Sequence, residues 1–149
     1  MMFMTDAEMT RRVLSAIFRT RGGDGRFTRL FENLDQSQRD LLRAVASIRD
    51  GELPVIGSID TPEQWLLITT QRVIWQSDGL IRELPATQIR HVNPGVFSSR
   101  WKTQMQTLQI ETTSHKTHTI SAELGAPLFG VWNVLLNFGA RNRAKGGTS

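Results

Sequence analysis

The sequence predicts an α+β fold in which a run of antiparallel strands is closed by one apolar C-terminal helix and preceded by a helical extension. Three observations carry this. Glu63 to Val92 places three strand-like runs and a hairpin turn in one continuous block. Leu128 to Phe138 is apolar around most of a helical circumference. Residues 6–48 repeat apolar side chains at spacings of three and four instead of two.

The first helix is expected to start at Asp6 as its cap, with Met9, Val13 and Ile17 at spacing four and Leu14 and Phe18 widening the apolar stripe. Arg21-Gly22-Gly23-Asp24-Gly25 breaks it. Phe27, Leu30, Phe31 and Leu34 match the i, i+3, i+4, i+7 template of a short second helix. Leu41, Val45 and Ile48, behind the capping residues Asp35 and Ser37, predict a third that ends at Gly51. Each helix has one apolar face, which needs the following domain, another helix or a partner to cover it.

Strands follow. Leu53 to Ile59 is the first, closed by Asp60-Thr61-Pro62. Trp65, Leu67 and Thr69 alternate with Leu66, Ile68 and Thr70 in a second that reads as well buried. Val73 begins a third, and Asp78-Gly79 tolerates positive φ at both centres of a type I′ hairpin turn. That turn sets Ser77 opposite Leu80, Trp75 opposite Arg82 and Val73 opposite Leu84, with Arg82 stacked on Trp75. A fifth strand spans about Gln88 to Val92, where Asn93-Pro94-Gly95 interrupts it. A last hairpin is expected to pair Ile110 with Ile120 and Leu108 with Ala122 around a turn centred on His115. Pro127 opens the closing helix, Gly139 is expected to end it, and residues 142–149 read as a disordered tail.

The 149 residues suffice for one core. There is no cysteine, which excludes disulfides, a thiolate nucleophile and a Cys-based zinc site. No apolar run reaches the length of a membrane span, and a cytoplasmic location is expected. The charge of +4 is modest, and bases and acids stand nine to seven both in residues 1–50 and in residues 51–149. Nucleic acid is therefore not an expected partner. Two acid-free stretches hold the basic residues Arg90, Arg100 and Lys102, and Arg141, Arg143 and Lys145.

Asp50-Gly51-Glu52 before the first strand, Leu67 to Trp75 across the second and third, Leu84-Pro85 with Gln88-Ile89, and Glu123-Leu124-Gly125 before the helix form a recurring pattern. It resembles bacterial pleckstrin-homology-like (PH-like) domains, including GRAM-like relatives, over roughly residues 50–140. The most specific piece is Thr69 or Thr70 followed by Arg72. The resemblance implies a seven-stranded antiparallel sandwich or barrel capped by a C-terminal helix, here over residues 51–141, and a binding module without chemistry of its own.

No catalytic or cofactor motif stands out, so neither an enzyme nor a cofactor is expected. Asp35, Asp60 and Asp78 are explained by caps and turns. Gly22 to Gly25 lacks the strand before it and the Lys-Ser or Lys-Thr end of a phosphate-binding loop. Among the histidines, His115 falls at a turn and His118 points into the apolar face, so they are not expected to converge with His91 on a metal. Trp65, Trp75 and Trp132 read as core.

The candidate contact residues are Arg100, Trp101 and Lys102, which in a strand would set a basic pair on one face and the ring on the other, with Arg90, Arg141 and Arg143. The competing reading of that segment is a solvated hairpin edge with its tryptophan in the core. The expected partner is a protein, with an inhibitor of immunity or antitoxin type as one concrete form. An anionic membrane surface is the alternative, and a homo-oligomer is compatible with the apolar helical faces.

Overall fold

The structure, a computed structural model, describes residues 5–94 and 105–146. Its elements are α1 (Asp6–Arg21), β1 (Thr28–Leu30), a 3-10 turn (Phe31–Asn33), α2 (Gln36–Ala46), β2 (Pro54–Thr61), β3 (Gln64–Thr69), β4 (Arg72–Ser77), β5 (Leu80–Pro85), a second 3-10 turn (Ala86–Gln88), β6 (Ile89–Pro94), β7 (Met105–Thr112), β8 (Thr117–Glu123) and α3 (Ala126–Gly146). The fold is α+β. Two antiparallel meanders form a five-stranded sheet, β1 to β5 in order, and a three-stranded sheet, β6 to β8.

Side chains alternate across a strand, and here both faces of the central strands are covered. Leu66, Ile68, Val73 and Trp75 join the main core with Leu108, Ile110 and Ile120 of the second sheet, Leu14 and Phe18 of α1, and the apolar side of α3. Trp65, Leu67 and Ile74 point the other way and are covered by Phe31, Leu34, Leu42 and Ala46. Helix α2 thus roofs the outer face of the large sheet. The unbroken apolar run of Trp65 to Ile68 has this double burial as its physical reason.

The first hairpin follows the sequence expectation. Asp78 and Gly79 take φ of 53° and 76°, and Ser77, Trp75 and Val73 pair with Leu80, Arg82 and Leu84. Trp75, however, is buried in the core while Arg82 is exposed. Among the described residues the cation–π contacts are Arg26 on Phe27 and Arg43 on Phe31, not Arg82 on Trp75.

The last hairpin differs by two residues. Ile110 pairs with His118, Leu108 with Ile120 and Gln106 with Ala122. The turn closes over Thr113 to His115: the His115 N–H bonds the Thr112 carbonyl at 3.0 Å, and His115 takes a left-handed φ of 65°. A shift of two preserves which face each side chain occupies, so Leu108, Ile110, Ile120 and Ala122 are buried as expected.

Five other expectations are corrected. The segment Phe27 to Leu34 is a strand and a 3-10 turn, not a helix. A stretch so short nucleates a helix poorly, and its backbone has better partners: Glu123 accepts the N–H groups of Arg26, Phe27 and Thr28 at 2.7, 2.9 and 2.7 Å, and Asp24 accepts that of Leu30 at 2.8 Å. Helix α1 is capped by Thr5, whose side chain forms a capping box with Glu8. Its buried face is Leu14 and Phe18, while Met9 and Val13 are about half exposed. Helix α3 passes through Gly139 to Gly146. That glycine marks a close approach, since a Cβ there would lie 2.5 Å from the Arg90 carbonyl oxygen. Asn142 beyond it donates to the carbonyls of Ala86 and Ile89, both at 2.7 Å, which anchors the turn expected to be tail.

Candidate functional site: an arginine-lined groove

Helical spacing sets the arginines of the N-terminal region in rows. On α1, Arg12, Ala16 and Arg19 recur at four and three residues and so share a face, with Arg11 beside them. On α2, Gln36, Arg39 and Arg43 do the same, in a row bordering the buried Leu42 and Ala46. Both helices are fastened to the sheets through their apolar faces. Between them lies a recess of about 730 Å³ lined by Arg11, Arg12, Arg19, Arg39 and Arg43, with Phe31, Pro54 and Val55 also in its wall.

One carboxylate, Glu32, stands among these five guanidinium groups. Among the described residues, Arg11, Arg19, Arg39 and Arg43 make no ion pair within 4.0 Å, whereas Arg12 already has a partner. The α2 arginines are nonetheless held in place. Arg39 donates to Gln36 Oε1 at 2.9 Å and to the Glu32 carbonyl at 3.3 Å, and the Arg43 guanidinium lies 5.2 Å from the Phe31 ring centre. A concave wall with charges of one sign focuses the field and concentrates anions. Guanidinium forks match carboxylate and phosphate oxygens in paired hydrogen bonds. Chemically the recess has the donors to receive an anion.

The charged groups elsewhere are largely consumed within the fold. Arg72, the arginine of the Thr69-x-x-Arg72 segment, is 4% exposed. It donates from Nε to Glu52 Oε2 at 2.7 Å, from Nη2 to Glu52 Oε1 at 2.9 Å, from Nη1 to Glu83 at 2.5 Å, and to the carbonyls of Ala46 and Ser47 at 2.9 and 3.0 Å. These contacts tie the C-terminal end of α2 to the β3–β4 turn. Burial alone would push the Glu52 carboxyl up, but the hydrogen bonds from Arg72, Thr69 and the Arg49 N–H outweigh it and hold the group below its ordinary range. Hydrogen bonding to Glu52 likewise raises Arg72. Every partner is satisfied, so the cluster is a staple.

Of the residues singled out by sequence, Arg100, Trp101 and Lys102 lie outside the described residues. The structure brings Arg90 and Arg143 together, with Arg143 Nη1 donating to the Arg90 carbonyl. Arg90 is already engaged by Glu111 at 3.3 Å and by His115 Nδ1 at 3.1 Å. Arg141 is half-buried on α3. His91 is exposed on β6, His115 sits in its turn, and His118 packs edge-on to Trp75 with ring centres 5.8 Å apart.

Sequence reasoning missed the groove because it weighed residues 1–50 by net charge, nine bases against seven acids. A usable signal was present. All nine of those bases are arginine, and Arg12 with Arg19 and Arg39 with Arg43 recur at seven and four residues on predicted helices. Compared with protein-family models, curated proteins and solved structures, the chain matches none.

Proposed function

We propose that this chain is a non-enzymatic, PH-like binding module that mediates a protein–protein interaction in the cytoplasm, its concrete form being an immunity or antitoxin-type inhibitor that occludes a partner enzyme. The order of elements supports the PH-like part of this reading: strands β2 to β5, then β6 to β8, then one closing helix, with β1 added at the edge of the first sheet. The observation that carries the binding role is the groove. Its arginines stand on two helices fastened to the core through Leu14, Phe18, Leu42 and Ala46, so the backbone that carries them needs no ordering by a partner. Preorganisation of that kind lowers the ordering cost of association.

Affinity capture from lysate of the source organism with the full chain as bait tests the reading. The expected result is one protein retained in stoichiometric amount, whose purified form binds the chain directly; for the inhibitor form, its activity falls to baseline at an equimolar ratio. Absence of any stoichiometric protein, together with salt-sensitive co-sedimentation on anionic vesicles, would replace it with the membrane reading built on Arg100, Trp101 and Lys102 with Arg90, Arg141 and Arg143.

A further inference from the structure

We infer that the groove between α1 and α2 binds an acidic, Asp- and Glu-rich segment of a protein, laid lengthwise between the two helices. The inference rests on the protein-partner reading above and names the chemistry of the partner. The charges are drawn out along both walls. Arg11 and Arg19 stand about 12 Å apart along the axis of α1, and Arg39 and Arg43 about 6 Å apart along α2. A single small anion would satisfy one pair and leave the others repelling each other. A chain with carboxylates every second residue, or every fourth on a helix, meets them in series, since those repeats advance about 6 to 7 Å.

Three features favour a peptide over other polyanions. Half-buried Pro54 gives the wall an apolar component that interspersed side chains can contact. The one ring there, Phe31, is buried with Arg43 over it and offers no stacking platform for nucleic-acid bases. Glu32 places a carboxylate inside the groove, which accepts the backbone N–H groups that a peptide carries and a phosphodiester backbone lacks. A flat headgroup layer is also a poor match for a recess whose charges line its walls.

The test is isothermal titration calorimetry on the full chain at low salt. The probe is a synthetic peptide of about ten residues alternating Glu with Leu or Ala, a length that in extended form spans the groove. A Gln-for-Glu version, a thymidine oligonucleotide and inorganic triphosphate serve as comparisons. The Glu peptide is expected to bind and the Gln peptide not. Arg19→Glu combined with Arg39→Glu should weaken binding by about tenfold or more, as for other close interfacial charge pairs. Arg19→Lys with Arg39→Lys should weaken it less, and Arg82→Glu on β5 should leave it unchanged.

Failure of the Glu peptide to bind, or binding indifferent to the Arg19 and Arg39 changes, overturns the inference. Tighter binding of the oligonucleotide or the triphosphate through the same arginines overturns it as well and reassigns the groove. If the Arg19→Glu, Arg39→Glu chain still captures the stoichiometric partner from lysate, this inference falls while the binding-module reading stands. If peptide binding follows the arginines but no partner is captured, the reverse holds.

Discussion

Arg72 and Glu52 meet as a two-point pair, Nε to Oε2 at 2.7 Å and Nη2 to Oε1 at 2.9 Å, with side chains 5% and 0% exposed. The pair sits where α2 ends and the β3–β4 turn begins, so one ionic contact joins the roofing helix to the sheet. Its remaining hydrogen-bonding capacity goes to Thr69, Glu83 and the carbonyls of Ala46 and Ser47. Breaking one half leaves the other charged and buried.

Arg72→Leu is therefore expected to lower stability by about 3–5 kcal/mol, as removal of one member of a buried pair does. Removing both members, with Arg72→Leu and Glu52→Leu, should cost less than the two single changes added together, because neither charge is then stranded. Urea denaturation of the four chains measures this. Strict additivity would show that the two side chains do not act as a unit.

Acid should weaken the fold through the same cluster. Hydrogen bonds hold the folded Glu52 carboxyl below its ordinary value of 4.5, burial notwithstanding. Asp35 is held below 3.8, chiefly by the Gln38 N–H at the cap of α2. A carboxyl depressed by folding stabilises fully above its unfolded value and loses that contribution as pH falls through the folded one. Stability followed by thermal melting should fall on acidification below about pH 4.5. Asp35→Asn should keep the cap and reduce this acid sensitivity.

A chain beginning at Gly51 should fail to unfold cooperatively. It lacks Leu14, Phe18 and Leu30 from the main core, and its loss of Phe31, Leu34, Leu42 and Ala46 uncovers Trp65, Leu67 and Ile74. Dye binding to exposed apolar surface should rise and the sharp thermal transition should vanish. A well-dispersed amide NMR spectrum with a sharp melt would show that residues 51–149 fold without the helices.

Gly130→Ala should destabilise by about 1–3 kcal/mol, the usual cost of an overpacked core. The new Cβ would stand 2.5 Å from Phe18 Cδ2, where α1 rests on α3. Phe18→Leu in the same chain should recover part of the loss, and calorimetric melting of the single and double changes would show it. Equal melting of the glycine and alanine chains would mean that α1 can lift from α3 without cost.

The groove yields the fifth expectation, a tenfold or greater loss of acidic-peptide affinity on reversing Arg19 and Arg39, with calorimetry as its measure.

Much of the strand pattern was legible from local chemistry. Asp78-Gly79 permits positive φ at two successive residues, and that requirement alone sets the register of β4 against β5. His115 carries no such restriction, so the last hairpin closed two residues from the expected register, although parity kept the same side chains inside. Phe27 to Leu34 satisfied a helical period and became strand and 3-10 turn because Glu123, distant in sequence, supplied partners for its N–H groups. The groove was legible only as rows of arginine on separate helices.

What the sequence by itself determined is the α+β class, the strands from Pro54 to Glu123 and the closing apolar helix, because turn residues and hydrophobic period act over a few neighbouring positions. Tertiary structure alone decided three things: that β1 joins the sheet, that α2 roofs its outer face, and that arginines from α1 and α2 converge on one groove. Each depends on contacts between segments far apart in the chain, and neither local propensity nor summed charge contains the distances between them.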